Sequence, residues 1–355
     1  MKSSTILLPL SAIYSGVTKA RLAAYRRGWF SVSKLAAPVI SVGNLTTGGT
    51  GKTPLVEWVC RAVARELGGS DGEGGRVCVL TRGYGRENPN TQVVVSDGTQ
   101  VLANERTAGD EPLLLAQNLL GIAAVVANAD RVAAGEWAIK NLHTKVFVLD
   151  DGFQHLRLAR DLDIVTIDAT NPWGGGSLLP YGRLRETRAG LSRADCVVIT
   201  RADQIEDVPS LKATIAKEVG LSPIFSSRMR TSRVRLLDGD NVEPVSLGSQ
   251  PITAFCGVGN PDSFFDHLRR ESWTTVFTRA FADHHNYVQS ELDALVEEAV
   301  ANGTKALVTT AKDAIKLSGF QLKLPCFVVE IQISIDDDDR LIELIQAVVG
   351  QSKVQ

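Results

Sequence analysis

Short apolar runs alternate with amphipathic segments along most of the chain. Regularly spaced polar residues do not interrupt these runs, which is typical of strands that are buried on both faces. Between the runs, apolar residues recur every three or four positions, as in a helix with one buried face. The pattern predicts strands at 37–42, 77–80, 92–96, 122–127, 146–149, 164–167, 196–200, 252–258, 306–309 and 326–331. It predicts helices at 111–119, 132–141, 261–271, 290–301 and 338–349, and another that begins at 53.

This order of elements indicates an α/β fold, with a mostly parallel, P-loop NTPase-like sheet and helices on both of its faces. We expect a basic amphipathic segment over 1–36, a nucleotide-binding core over 37–205, and a smaller C-terminal α/β domain over 206–355. The polar stretch at 203–250 is typical of a hinge. With 355 residues, the chain is long enough for two domains that each bury a core.

The amino-terminal segment is basic and amphipathic, since no acidic residue precedes Glu57. From Leu10 onward the apolar positions share one helical face, and Lys19 and Arg26 lie on another. The apolar stretch is shorter than the ~20 residues that cross a bilayer, so we expect a helix that lies on an anionic membrane surface or packs on its own domain. A secretory signal is disfavoured, because a loop typical of cytosolic nucleotide-binding proteins follows.

Composition and charge exclude several classes of protein. Hydrophobic residues make up 44% and charged residues 22%, which excludes disordered and collagen-like chains. The net charge of −2 gives no indication of a nucleic-acid partner, and nothing in the pattern indicates an obligate protein partner. The five cysteines are widely spaced without a Cys-X-X-Cys pair, which indicates buried thiols rather than disulfides or a zinc site.

A phosphate-binding loop is predicted at Gly48-Gly49-Thr50-Gly51-Lys52-Thr53, between a predicted strand and a predicted helix. Glycines allow backbone N–H groups to approach phosphate oxygens, and the helix N-terminus adds partial positive charge. We expect Lys52 to reach the β- and γ-phosphates of a nucleotide and the Thr53 hydroxyl to bind Mg²⁺. Thr46 stands where the strict motif has its first glycine, and Gly48 and Gly49 compensate for it.

Two acids follow the predicted strand at 146–149. Asp150 and Asp151 have the Walker-B form, in which a carboxylate at the carboxyl end of a strand orients Mg²⁺. Successive side chains of a strand point to opposite faces, so we expect different roles for the two acids. His155 follows them, either as a structural hydrogen-bonding residue or as part of the site.

Three further groups are candidates for the chemistry. Asp110, in a loop that precedes a predicted helix, is either the base that accepts the proton of an acceptor hydroxyl or the N-cap of that helix. The segment 200–203 (TRAD) is similar to the Asn/Thr-Lys-X-Asp element by which GTPases read guanine, with Arg201 in place of lysine. His284 and His285 offer either a proton relay or a pair of surface histidines.

A set of motifs occurs along the chain in the order SVGNLTTGGTGKTP, RGYGR, AGDEP, VFVLDDGFQH, LLPYGRLRE, ITRAD, DHH and TTAKDAIKL. As an ordered set they are similar to the motifs of the tetraacyldisaccharide 4'-kinase family of lipid A biosynthesis, over most of the chain. The family's own loop reads GNLxxGGxGKT, so the resemblance also accounts for Thr46.

The resemblance implies ATP-dependent phosphorylation of the 4'-hydroxyl of tetraacyldisaccharide 1-phosphate, a lipid A precursor, to give lipid IVA. It implies that Lys52 and Thr53 hold the ATP phosphates and Mg²⁺, and that Asp150 and Asp151 serve the metal and the nucleotide. It implies further that Asp110 is the catalytic base and that His284 pairs with it. The neighbouring His285 leaves the partner of Asp110 open, because the family usually has tyrosine there.

The resemblance also implies a location at the cytoplasmic face of the bacterial inner membrane, reached by the first helix. A lipid with long acyl chains leaves the bilayer at a cost of about 0.8 kcal/mol for each CH₂ group, so the enzyme is expected to come to the membrane. Arg183, Arg185 and Arg188 are candidates to bind the 1-phosphate of the acceptor, or else form a solvated basic loop.

Two other functions are compatible with the phosphate loop. One is a P-loop GTPase that acts as a metallochaperone or switch, which the double acid and the segment 200–203 permit. The other is a P-loop carboxylate ligase of the dethiobiotin-synthetase type. The GTPase would require a strict preference for guanine, and the ligase gives no reason for the basic, amphipathic start of the chain.

Overall fold

The computed structural model describes residues 3–68, 76–239, 241–242 and 250–352. Part of the stretch expected to form a hinge, residues 240 and 243–249, lies outside these ranges. The chain forms two compact units. The first comprises Met1–Arg228 and Ile333–Gln355, and the second comprises Met229–Gln332.

The first unit is built on a sheet of short apolar strands. Its strands are β1 Val39–Asn44, β2 Val77–Thr81, β3 Val93–Ser96, β4 Ala124–Ala127, β5 Val146–Asp150, β6 Leu162–Asp168, β7 Cys196–Thr200 and the first part of β8 Ile224–Leu236. Their order is β8-β7-β6-β1-β5-β2-β4-β3, and all neighbours are parallel except β3, which is antiparallel to β4. Every residue of β1, β2 and β4 to β7 is buried, which is why these runs lack alternating polar positions.

Helices connect the strands in both units. They are α1 Ser3–Arg26, α2 Lys52–Glu66, α3 Glu105–Ala108, α4 Asp110–Asn118, α5 Arg131–Leu142, α6 Val208–Val219, α7 Pro261–Arg270, α8 Gln289–Ala301, α9 Ala311–Leu317 and α10 Asp338–Ser352. The last of these returns to the first unit, where Gln346 Nε2 on α10 donates to Glu66 Oε1 on α2 at 2.9 Å. The helix that carries the phosphate loop is therefore covered by the last helix described.

The second unit contains a separate set of parallel strands. The strands β10 Ile252–Cys256, β11 Thr275–Ala280, β12 Ala306–Thr310 and β13 Cys326–Ile335 lie in the order β11-β10-β12-β13, and β13 leads back to the first unit. The short β9 Asn241–Val242 pairs with β8 in antiparallel orientation. The core of this unit lies on both sides of β10 and β12, because Phe255 and Leu307 face one apolar cluster while Ala254 and Val308 face another.

The predicted class, an α/β fold with a mostly parallel sheet, is confirmed. The pattern did not predict β8, β9, β11, α3, α6 or α9, and both α6 and β8 lie within the polar stretch 203–250. Strand β11 has no fully buried residue and lies at the edge of its sheet, so it lacks the apolar run of a central strand. Helix α9 has only 7 residues, too few for a helical period to be recognised.

Helix α1 begins at Ser3, before the predicted start at Leu10, and contains Pro9. No helix in the described ranges has the length and apolar character needed to span a bilayer. All five cysteines are buried with free thiols, as predicted. Burial raises the pKa of each thiol, so these side chains behave as small apolar groups.

Candidate active site

The phosphate loop lies between the carboxyl end of β1 and the start of α2. Gly48 and Gly51 have positive φ angles of 106° and 77°, a backbone conformation that other residues rarely adopt. Gly51 is the N-cap of α2, and Lys52 and Thr53 are the first two residues of the helix. The N-terminal N–H groups of α2 and the Lys52 side chain are therefore presented at the same end of the helix, as an anion site requires.

Asn44, the last residue of β1, binds the loop through its side chain. Its Nδ2 donates to the Thr46 carbonyl at 2.6 Å and to Thr50 Oγ1 at 2.9 Å. Thr50 Oγ1 also lies 3.0 Å from Thr166 Oγ1 on β6. Thr46, which replaces the first glycine of the strict motif, is itself buried. The threonine side chain at 46 is therefore accommodated inside the protein, in a loop that hydrogen bonds connect to β1 and β6.

Asp151 binds the loop lysine. Lys52 Nζ lies 3.4 Å from Asp151 Oδ1, and Arg185 Nη1 donates to both oxygens of the same carboxylate at 2.7 and 2.6 Å. Burial opposes ionisation of Asp151, but Lys52 and Arg185 outweigh it and lower the pKa to about 2. Asp151 is therefore ionised at neutral pH and holds Lys52 by charge.

Asp150 has a different environment although it is the adjacent residue. Its carboxylate is buried at the end of β5 and accepts a hydrogen bond from Thr81 Oγ1 at 2.9 Å. Burial, followed by the negative charges of Asp151 and Glu111, raises its pKa to about 6. The carboxylate therefore lies in a site with an excess of negative charge, where a cation would stabilise the ionised form.

Asp110 begins α4 and is 4% exposed. The N-cap position belongs to Gly109, and Asp110 Oδ1 accepts the N–H of Glu111 at 3.0 Å. Gly109 has a φ angle of 87°, and a Cβ there would lie 2.4 Å from the Tyr84 carbonyl oxygen. This close approach fixes the entry to α4 and with it the position of the Asp110 carboxylate.

The arginines of the LLPYGRLRE segment have separate contacts. Arg185 binds Asp151, whereas Arg188 stacks over the Trp173 ring with its Cζ 4.3 Å from the ring centre. Arg183 contributes its carbonyl, which accepts the N–H of Thr47 at 2.8 Å. Of the three arginines expected near an acceptor phosphate, Arg185 thus belongs to the ion pairs around the phosphate loop.

Arg131 and Glu186 also lie in this region, although the sequence pattern does not predict a role for either. Arg131 is buried at the start of α5, and its pKa is lowered by burial against the opposing charges of Asp150 and Asp151. Glu186 is buried and accepts from two nitrogens of Arg193, at 2.8 and 3.0 Å, and from Gln154 Nε2 at 2.9 Å. Gln154 also donates to the Asn44 carbonyl at 2.8 Å, which connects this network to the end of β1.

In the second unit, the two neighbouring histidines have different environments. His284 has a positive φ of 58°, and its ring Nε2 lies 3.4 Å from Lys312 Nζ. His285 stacks on Phe281 with ring centres 4.8 Å apart, and its Nε2 lies 3.0 Å from Glu291 Oε2. The His284 side chain is 40% exposed and that of His285 is 22% exposed. His285 is thus part of the packing of this unit, and His284 is the more accessible ring.

Asp313 holds the segment that carries His284. The buried carboxylate accepts from Gly257 N at 2.9 Å, from Tyr287 Oη at 2.8 Å and from Thr310 Oγ1 at 2.6 Å. Gly257 in turn offers its carbonyl to the His284 N–H at 3.1 Å. The sequence contains one sign of this role, since Thr310 precedes Asp313 at the three-residue spacing of a helix cap.

Helix α1 contacts the rest of the first unit and also exposes apolar side chains. Ser11 Oγ donates to the Leu178 carbonyl at 2.9 Å, and Arg21 Nη2 donates to the Gln154 carbonyl at 3.3 Å. Along the helix, Ile13 and Val17 are 64% and 62% exposed. The two interpretations of the amphipathic helix are therefore compatible, because one side is attached to the protein and another is left open.

Comparisons with known proteins point to one family. A family model described as tetraacyldisaccharide-1-P 4'-kinase matches residues 3–350. A tetraacyldisaccharide 4'-kinase of Desulfotalea psychrophila is 35% identical over 337 residues, which are 94% of this chain and 94% of that protein. One of Geobacter metallireducens is 42% identical over 313 residues, 88% of each chain. The crystal structure of LpxK from Aquifex aeolicus with ATP is 31% identical and has a TM-score of 0.76, covering 98% of this chain and 99% of that chain.

Proposed function

The chain belongs to the tetraacyldisaccharide-1-P 4'-kinase family, and on this premise we propose that it transfers the γ-phosphoryl group of ATP to the 4'-hydroxyl of tetraacyldisaccharide 1-phosphate. The product would be lipid IVA, an intermediate of lipid A and lipopolysaccharide biosynthesis. The observation that carries the proposal is the contact between Lys52, at the start of α2, and Asp151 at the end of β5. It unites the phosphate loop with the Walker-B acid in one ion-paired site.

Lys52 supplies positive charge to the transferred phosphoryl group. The transition state of phosphoryl transfer spreads negative charge over the phosphoryl oxygens, and a fixed cation stabilises it more than the ground state. Asp151, which is itself bound by Arg185, holds Lys52 in place before the nucleotide binds. The N–H groups of Gly48, Gly49, Thr50 and Gly51 would bind the remaining phosphate oxygens.

The residues present fit a magnesium ion. Asp150 is a buried carboxylate whose pKa is raised mainly by burial and then by Asp151, so it gains most from a cation. We propose that Asp150 and the Thr53 hydroxyl bind the metal. Asp151 would act on the metal by its nearby negative charge. When bound, Mg²⁺ neutralises charge on the β- and γ-phosphates.

Asp110 is the proposed base toward the sugar hydroxyl. It is buried and held at the start of α4, and a carboxylate there accepts the hydroxyl proton as the oxygen attacks phosphorus. His284 is the proposed partner of Asp110 because it matches the family's histidine in the DHH segment, and its ring is more accessible than that of His285.

We propose that the protein acts at the cytoplasmic face of the inner membrane, held there peripherally by α1. The exposed Ile13 and Val17 would enter the bilayer interface, and Arg26 and Arg27 would contact anionic headgroups. The acyl chains of the acceptor could then remain in the bilayer while its sugar reaches the site.

The reaction is tested by incubating the protein with γ-labelled ATP and purified tetraacyldisaccharide 1-phosphate. We expect label on the 4' position of the sugar, with no transfer by Lys52→Ala. ATP consumption without label on the glycolipid would overturn the proposal.

The membrane contact is tested by flotation with vesicles that contain anionic lipids. Ile13→Asp and Val17→Asp should reduce flotation. Val300→Asp, which changes an exposed valine on α8, is the matched control and should float like the wild type. Equal flotation of all the variants would contradict the assigned role of α1.

A further inference from the structure

The TRAD segment contacts the phosphate loop directly. Thr200, the last residue of β7, donates its hydroxyl to the Thr50 carbonyl at 2.9 Å. Arg201, the next residue, donates Nη1 to the Gly49 carbonyl at 2.9 Å. Two neighbouring side chains therefore bind two consecutive carbonyl groups of the loop.

These contacts fix two peptide planes of the loop. A trans peptide is planar, so its C=O and its N–H point in opposite directions. The Gly49 carbonyl belongs to the same peptide as the Thr50 N–H, and the Thr50 carbonyl to the same peptide as the Gly51 N–H. When Arg201 and Thr200 hold the two carbonyls toward β7, they turn both N–H groups away from β7, toward the side where phosphate oxygens would lie.

Arg201 is itself held firmly. Its φ angle is 54°, which is unusual for a residue other than glycine, and its side chain is only 11% exposed. The guanidinium forms an ion pair with Asp168 at the end of β6. Asp168 Oδ1 in turn accepts from Thr170 N at 3.0 Å and from Thr170 Oγ1 at 2.8 Å. The arginine therefore brings a fixed donor to the loop rather than a mobile surface charge.

We propose that Thr200 and Arg201 are positioning residues that preset the N–H groups of Thr50 and Gly51 for the phosphates of the nucleotide. The inference rests on the proposed function, because it assigns a role within the same ATP site. Both contacts of Arg201, to Asp168 and to the Gly49 carbonyl, come from one guanidinium nitrogen, Nη1.

The test compares Thr200→Val, Thr200→Ser and Arg201→Gln with the wild type by direct binding of a fluorescent ATP analogue. Losing one such hydrogen bond should weaken nucleotide binding by about five- to tenfold in Thr200→Val and by at least about tenfold in Arg201→Gln. Thr200→Ser keeps the hydroxyl and should bind nearly as the wild type does. Thr214→Val, which removes a hydroxyl bonded to the Ser210 carbonyl on α6, is the matched control and should bind as the wild type does.

Steady-state kinetics separates positioning of the loop from general damage. The KM for ATP should rise in Thr200→Val and Arg201→Gln, while the KM for the glycolipid acceptor stays within about twofold. Unchanged nucleotide binding in Thr200→Val, or equal shifts in both KM values, would overturn the inference. If Arg201→Gln fails to fold because Asp168 loses its partner, Thr200→Val alone decides. A wild-type protein that binds the analogue but never phosphorylates the glycolipid would overturn the proposed function and leave this inference standing on the binding data.

Discussion

A single nitrogen of Arg185, Nη1, contacts both carboxylate oxygens of Asp151, at 2.7 and 2.6 Å. The guanidinium is therefore not used as a two-nitrogen fork, although that is the usual way in which arginine binds a carboxylate. Asp151 keeps one oxygen within 3.4 Å of Lys52 Nζ, so the arginine and the lysine share one acid.

Arg185→Lys should retain much more activity than Arg185→Ala. One ammonium nitrogen can replace the one guanidinium nitrogen that contacts Asp151, whereas alanine leaves the acid with Lys52 alone. We expect kcat/KM for ATP to fall by more than about tenfold in Arg185→Ala and by a few-fold in Arg185→Lys. Equal losses in both variants would mean that the shape of the guanidinium, rather than its charge, is required.

Asp110→Asn should lower kcat by about 100-fold or more and leave the dissociation constant for ATP within about twofold. The reason is that a base acts on the acceptor hydroxyl and not on the nucleotide. Asp207→Asn, at the start of α6, is the matched control, since asparagine can also accept from the Ser210 N–H, and it should have normal kcat. Loss of ATP binding in Asp110→Asn would show that this acid shapes the nucleotide site instead.

His284→Ala should lower activity, whereas His285→Ala should lower stability. His284 is the proposed partner of Asp110, so its removal should reduce kcat. Because its ring is the more exposed, the melting temperature should change little. His285 stacks on Phe281 and contacts Glu291, so its removal should cost roughly 1–2 kcal/mol of stability. Thermal unfolding together with steady-state rates distinguishes the two, and the reverse result would assign the partner of Asp110 to His285.

Stability should depend on His155 below neutral pH. Burial, with Arg131 and Arg160 adding to it, lowers the pKa of this imidazole to about 4. A base with a lowered pKa in the folded state takes up a proton on unfolding, so the stability it contributes is full above about 6.5 and is lost as the pH falls toward 4. From pH 7 to pH 5 the wild type should lose roughly 1–2 kcal/mol through this residue.

His155→Gln should lack that part of the pH dependence, as measured by denaturant unfolding at the two pH values. An identical loss of stability in the variant would show that other groups are responsible. The ring Nε2 of His155 is buried without a hydrogen-bond partner among the described residues, which agrees with a neutral imidazole.

The central strands and the phosphate loop could be predicted because their signals are local. An apolar run that ends in Asp150, or a glycine-rich loop that ends in Lys52, is sufficient to place a residue at the carboxyl edge of a parallel sheet. The fold class followed from the order of such runs.

The contacts between distant segments could not be predicted in this way. Asp313 binds Gly257 and Tyr287, and Arg201 binds the Gly49 carbonyl, across separations of 26 to 152 residues. The sequence around a buried charged residue does not predict which distant residue it will bind. The similarity of TRAD to a guanine-reading element suggested a role in base recognition, whereas the side chains of Thr200 and Arg201 are engaged with the backbone of the phosphate loop.

The second unit is inserted in the chain between the first part of β8 and the last part of β13, and α10, which follows β13, covers α2. During synthesis on the ribosome, the segment that completes the nucleotide-binding unit therefore emerges only after the whole inserted unit has left the exit tunnel. Until then, the helix that carries Lys52 lacks part of its cover. A nascent chain halted within the insertion should accordingly be sensitive to proteases at α2, even though every residue of the phosphate loop has already been made.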